Sequence, residues 1–194
     1  ETAATYDGKE HEAVGVETYE FTVEGNSYTV SGLSTEDPKQ KDAGSYTNNI
    51  TGTPVVTDKE GNVVTSEFEV KTENGSLEIG KAAVTLKSAT LSKKYDGNAL
   101  VNGDTALEVE SGFAEGEGAT YNFTGSQTIV GSSANAFSYE LNSNTNIDNY
   151  AISKQEGTLT VTNREAKYEI TVKANSATAV SYTHLRAHET SLHL

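Results

Sequence analysis

Apolar and polar residues alternate one for one through much of this chain, and that pattern decides the kind of backbone it can form. Tyr19, Phe21 and Val23 alternate with Thr18, Glu20 and Thr22 in "TYEFTVEG". Phe68 and Val70 do so in "EFEVK", Leu77 and Ile79 in "SLEIG", and Val84 and Leu86 in "VTLKS". Further on come Phe137, Tyr139 and Leu141 in "FSYEL", Leu159 and Val161 in "TLTVT", and Ile170 and Val172 in "EITVK". Successive side chains of a strand point to opposite faces, so each segment has one apolar and one polar face. Antiparallel sheets with one wet side are the expected result.

Turn signals separate these runs: "YDG", "EGN", "DKEGN", "ENG", "NGD" and "DNY". Gly and Asn accept positive φ at low cost, and Asp can cap its own turn. "VVTDKEGNVVT" reads as a hairpin with its loop at Asp58–Asn62. No window of useful length has a 3.6-residue period, and the abundance of Thr, Ser, Asn, Gly and Tyr favours strands and turns. The fold class expected is all-β.

The sequence also repeats. "YDG" stands at Tyr6–Gly8 and again at Tyr95–Gly97. "YTVSG" from Tyr28 matches "YNFTG" from Tyr121 at an offset of 93, which Tyr46 and Tyr139 share, and "GSLEI" from Gly75 matches "GTLTV" from Gly157 at an offset of 82. The change of offset is assigned to a longer hairpin excursion in the first copy, near residues 51–66. Two units of this size suit small β-sandwich domains. The expected organisation is a first β domain over residues 1–80, truncated at its start, a second over 81–162, and the opening of a third over 163–179. "ITVKANSATA" from Ile170 is similar to "VTLKSATLSK" from Val84 and carries that third opening. Each domain is expected to be an Ig-like antiparallel sandwich, with a β-grasp-like arrangement as the alternative.

Charge excludes some functions. There are 28 acidic and 14 basic side chains, a net charge of −14, and no Lys/Arg cluster, so a phosphate backbone would be repelled and no nucleic-acid partner is expected. No stretch of about 18 apolar residues exists to insert in a membrane. Cysteine is absent, which removes thiol catalysis, disulfides and thiolate metal sites. Methionine is absent too and no secretory signal is visible, so the chain is read as an internal piece of something longer.

The last residues differ from the body. Three of the four histidines, His184, His188 and His193, fall in "AVSYTHLRAHETSLHL". His184 and His188 are four apart, but no third ligand has a matching spacing and there is no HExxH glutamate. The string from Val180 to Thr190 resembles one reading frame of a transposase adapter used in preparing sequencing libraries. Residues 180–194 are therefore set aside as an artefactual tail.

Chemistry in the body is sparse. His11, in "GKEHEAVG", reads as a solvated strand residue beside a turn. Glu108, Glu110, Glu115 and Glu117 alternate with apolar or glycine positions and read as the wet face of a sheet, with nothing to select an acid–base pair. "TDKEGN" offers Asp58, Glu60 and Asn62 at alternate positions, loosely like a calcium loop, but lacks the closing bidentate glutamate. It reads as a plain hairpin loop. No catalytic, cofactor-binding or metal-ligating residue is assigned, no cofactor is expected, and the chain is not read as an enzyme. In "YDG" Tyr95 covers the sandwich end while Asp96-Gly97 makes the turn out of the first strand; Tyr150 in "DNY" starts a strand; Gly157 opens the last hairpin.

"SKKYDG", "GFAEGEGATYNFTGSQTIVGSS", "NIDNYAISKQEGTLTVT" and "DAGSYTNNITGTPVVTDKEGNVVTSEFEVKTENGSLEI" together resemble the YDG/MBG-type repeats of large bacterial surface proteins of adhesin type, over nearly all of residues 1–179. The resemblance implies tandem extracellular β domains on the bacterial cell surface that act as a stalk and present a distal module. Their partners would be neighbouring repeats of the same chain. The alternative is a lectin-like module that binds host glycans or surface proteins, and exposed tyrosines in "YTNNI" or "NTNIDNY" would favour it.

Overall fold

A computed structural model describes residues 2–16, 19–104, 106–179 and 181. The tail expected to be artefactual lies, apart from Ser181, outside the described residues, as do His184, His188 and His193. The fold is all-β.

The first half contains β1 (Thr2–Thr5), β2 (His11–Glu12), β3 (Glu20–Val23), β4 (Asn26–Thr35), β5 (Lys39–Gln40), β6 (Gly44–Asn48), β7 (Ile50–Asp58), a 3-10 turn at Thr65–Glu67, and β8 (Gly75–Gly80). The second half contains β9 (Ala82–Lys87), β10 (Leu91–Lys94), β11 (Leu100–Val101), β12 (Val109–Ser111), β13 (Ala119–Phe123), β14 (Ser126–Gln127) and β15 (Gly131–Ala134). It closes with β16 (Phe137–Leu141), a 3-10 turn at Ile147–Asn149, β17 (Tyr150–Gln155) and β18 (Thr158–Thr162).

One three-strand arrangement occurs twice. β8 lies between β1, to which it is parallel, and β6, to which it is antiparallel. β18 lies between β10 and β15 in the same two senses. The central strand is the most apolar in each: Leu77 and Ile79 of β8 and Leu159 and Val161 of β18 are buried, while their neighbours in sequence are polar. The ladders place Tyr46 opposite Leu77 and Ser133 opposite Leu159. They therefore match "GSYTN" from Gly44 with "GSSAN" from Gly131, an offset of 87, and not Tyr46 with Tyr139. Tyr139 lies instead in β16, opposite Tyr121 of β13.

Antiparallel ladders also join β3, β4 and β7, β9 and β12, and β13 and β16. Purely antiparallel pairing is corrected at three places, where β1 with β8, β10 with β18, and β9 with β17 run parallel. Alternation reports which face of a strand is dry, not the direction of its neighbour.

Two expected strands do not form. "EFEVK" and "EITVK" keep their alternation, yet residues 68–73 and 168–173 carry no ladder. A strand needs a partner for its backbone N–H and C=O groups, and the side-chain pattern cannot supply one. Tyr19 and Val23 are 46% and 42% exposed, so only Phe21 of that alternating set turns inward.

Residues up to Asn163 make one compact unit and those from Arg164 another. The expected boundary after residue 80 falls at the single residue, Lys81, that separates β8 from β9. Tyr6, Ala13, Leu77 and Ile79 from one side of it share a buried cluster with Ala82, Val84, Leu86, Phe137 and Tyr150 from the other. In the second unit, the Arg164 guanidinium sits 4.1 Å from the Tyr168 ring centroid and donates to its hydroxyl at 3.1 Å.

Candidate functional site: a tyrosine–glutamate junction

The "YDG" segments form the same turn twice. Asp7 Oδ1 accepts from the Lys9 N–H at 2.9 Å, and Asp96 Oδ1 from the Asn98 N–H at 2.9 Å, with Gly8 and Gly97 at φ of 80° and 86°. The tyrosine before each turn extends the parallel ladder: Tyr6 N–H donates to Gly80 O at 2.8 Å and Tyr95 N–H to Thr162 O at 2.9 Å.

Tyr6 points into the second half. Its ring stands edge-on to Tyr150, 5.3 Å between centroids at 84°, and Tyr150 stands edge-on to Phe113 at 5.1 Å. Glu117 holds both phenols: Tyr6 donates to Oε1 at 2.5 Å and Tyr150 to Oε2 at 2.8 Å. The Tyr150 hydroxyl also accepts from the Ala114 N–H at 3.0 Å. Beside this pair Asn149, itself buried, accepts from the Ala43 N–H at 2.9 Å and donates to Asp42 at 2.8 Å. Every one of these groups has its partner, as buried polar groups require.

Burial is the main reason the Tyr6 hydroxyl resists ionisation, and the adjacent Glu117 carboxylate adds to it; its pKa is raised well above the ordinary tyrosine value. Tyr150 is raised too, by burial first, with Glu117 adding and the Ala114 N–H opposing. Glu117 was expected on the wet face of a sheet with Glu108, Glu110 and Glu115. It is instead half-buried and bridges the two tyrosines. With each oxygen accepting a hydrogen bond from a phenol, it is arranged to hold the two side chains in place.

A second buried polar cluster secures the second half. Ser88 Oγ donates to Asn135 O at 2.6 Å and accepts from the Gly157 N–H at 2.9 Å. The Asn135 amide donates to Ala89 O at 2.9 Å and Asn102 Oδ1 at 2.7 Å. A Cβ at Gly157 would lie 2.3 Å from Ala89 O, so this close crossing of the β9–β10 and β17–β18 links admits glycine alone.

The other weighed residues have local roles. His11 Nε2 lies 3.0 Å from Asp7 Oδ1, whose pKa is lowered chiefly by the Lys9 N–H, with His11 adding. Lys87 pairs with Glu108 at 3.1 Å. Asp58 is committed to the expected hairpin loop: it accepts from Asn62 Nδ2 at 2.9 Å, from Asn62 N–H at 2.8 Å and from Glu60 N–H at 3.0 Å. Among the described residues no three His, Cys, Asp or Glu side chains are placed to share a metal ion. Tyr46 is half-buried with its hydroxyl on Asp42 O at 2.9 Å, and Tyr150 is 3% exposed, so neither tyrosine is the open aromatic platform a lectin-like reading wanted.

No family model, curated protein or solved structure matches this chain.

Proposed function

We propose that this chain is part of the stalk of a bacterial cell-surface, adhesin-like protein: tandem β repeats whose work is to carry tension and present a distal module. We read each half as a small Ig-like sandwich. A β-grasp sheet wraps a helix, and among the described residues no helix is longer than a single 3-10 turn.

The observation that carries the reading is the direction of two ladders. β1 is parallel to β8 and β10 is parallel to β18, which are early and late strands of each half. Tension along the chain pulls β1 at its start and β8 at its end. In a parallel pair those are opposite ends of one ladder, so its hydrogen bonds load together in shear instead of opening one after another. The Tyr6–Glu117–Tyr150 contact then stiffens the step from one half to the next. An acidic surface keeps neighbouring copies apart. The reading assigns no reaction and no cofactor.

The test is single-molecule pulling. Drawn from its two ends, the chain should unfold at distinctly higher force than when handles at Thr2 and Gly75, on adjoining ends of β1 and β8, unzip that ladder. Equal forces in the two geometries would remove the mechanical argument. Antibody against residues 1–163 should label intact cells of the source, and labelling only after lysis would remove the surface placement.

A further inference from the structure

The side chains of this sequence that give up electrons readily are of one kind. There is no Cys, Met or Trp, and there are ten tyrosines. Sulfur side chains ordinarily absorb oxidation first, each along its own ladder of products. Here a one-electron oxidant meets tyrosine instead.

Two of those tyrosines meet ring to ring across the junction between the halves. Tyr6 and Tyr150 stand 5.3 Å apart between centroids at 84°, and their hydroxyls converge on the two oxygens of Glu117 at 2.5 and 2.8 Å. The ring carbons beside each hydroxyl, where a phenoxyl radical couples, are thereby drawn to the same end of the pair. Both residues are buried, at 4% and 3% exposure. An electron can leave a buried ring without contact with the oxidant, whereas burial keeps other radicals from reaching the phenoxyl left behind. We propose that Tyr6 and Tyr150 are a site of oxidative cross-linking, at which a one-electron oxidant joins the two halves through a dityrosine bond and Glu117 is the base for the phenol protons.

Two electrons leave in two steps, one from each tyrosine, and reduce two equivalents of the oxidant. Each phenol proton passes along its existing hydrogen bond to Glu117, which is half-buried and hands it on to solvent. A base already in the hydrogen bond lets proton and electron depart together, so no cationic phenol forms in the buried site. The two phenoxyls then make one C–C bond between the carbons beside their oxygens. The hydrogen on each of those carbons moves to the oxygen and restores the phenol. The net change is one new bond and the loss of two hydrogen atoms.

The bond ties the end of the first parallel ladder to the first residue of β17. A linked chain drawn from its ends cannot extend the stretch between residues 6 and 150. The stalk reading makes no use of oxidation, so failure of the cross-link leaves that reading as it stands.

The test is to illuminate the full chain, dilute, with tris(bipyridine)ruthenium and persulfate, which together supply a one-electron oxidant. Dityrosine fluorescence should rise in the monomer, and its mass should fall by two hydrogens. Cleavage after Lys and Glu should then release residues 2–9 joined to residues 141–154, whose only tyrosines are Tyr6 and Tyr150. In urea the same treatment should scatter dityrosine over other pairs. Tyr6→Phe should abolish the link. Glu117→Gln can still bond both phenols but is no base, and with its fold verified by circular dichroism it should form the link about tenfold more slowly, or less. Should that variant not fold, the wild-type and Tyr6→Phe peptide maps carry the test. The proposal is overturned if the folded chain gives no such link, whether dityrosine forms nowhere or only elsewhere, as between Tyr121 and Tyr139 across β13 and β16. It is also overturned if the link forms as readily in urea, or if folded Glu117→Gln forms it at an unchanged rate.

Discussion

Tyr6 and Glu117 stand 111 residues apart in the chain and share a 2.5 Å hydrogen bond, the phenol donating to a carboxylate whose other oxygen is taken by Tyr150. A single half-buried carboxylate thus closes two buried hydroxyls from opposite halves of the unit. Glu117→Ala leaves both without their acceptor and should lower stability by about 2–4 kcal/mol, and Tyr6→Phe by about 1–2 kcal/mol. A double-mutant cycle on the two sites, followed by urea unfolding, should give a coupling of about 1 kcal/mol or more. Simple additivity would mean that the bond carries no net stability.

Alkaline conditions test the same junction through its protons. Tyr6, Tyr121 and Tyr150 all have raised pKa values, burial being the first cause in each. The folded state therefore keeps protons that the unfolded chain gives up above about pH 10. The stabilising contribution is complete below that pH and is lost as pH rises further, because the unfolded state then binds fewer protons. Tyrosinate absorbance from these three residues should appear together with loss of β circular dichroism. Their ionisation in a chain that remains fully folded would contradict the buried geometry.

Gly157 and Gly97 should respond differently to one methyl group. At Gly157 a Cβ meets Ala89 O at 2.3 Å and the Ser88 carbonyl at 2.5 Å, whereas at Gly97 there is nothing within 4 Å and the strain comes from φ of 86°. Gly157→Ala should cost about 2 kcal/mol or more, through displaced backbone and the strained Ser88 bond. Gly97→Ala should cost about 1 kcal/mol. Thermal midpoints of the two variants check the order, and equal shifts would refute the crossing at Ser88.

The Asp58 loop should loosen in acid. Its carboxyl pKa is lowered, first by Asn62 Nδ2 and next by backbone N–H groups of the loop. A lowered value in the folded state adds stability above about pH 3.9, the unfolded value, and that contribution fades as pH falls through the folded one. The amide shifts of Glu60 and Asn62 should titrate with Asp58 below pH 4, and Asp58→Ala should place them at the acid position at neutral pH. Amides that do not follow the carboxyl would break the assignment.

Much of the strand content was legible because four apolar strands, β8, β9, β16 and β18, state their burial in alternate letters. The polar strands β6 and β15 were not, since their inward positions include Asn48 in "GSYTN" and Ser133 in "GSSAN", which give no apolar alternation. Residues 68–73 and 168–173 were misread for the reverse reason: the face is written in the sequence, but the partner is not. At the junction, "DNY" pointed to Tyr150 as a structural tyrosine, whereas the "YDG" reading rested on Tyr95 and Tyr6 entered only as its repeat. Glu117 hid among three other carboxylates, and only the approach of residue 6 to residue 117 distinguishes it. The parallel direction of three ladders had no local signal at all, because the strands concerned are separated by dozens of residues.

That separation has a bearing on when the molecule can fold. Among the described strands β1 pairs with β8 alone and β10 with β18 alone, about 70 residues later in each case. A chain emerging from a ribosome or threading a narrow channel holds nothing to close its first ladder until Gly80 is free. Loop closure over such a span comes early in cost and late in reward, so folding is slow and waits for the final strand. Hairpins such as β3–β4 can form earlier, but each half closes its parallel ladder only once its last strand is free.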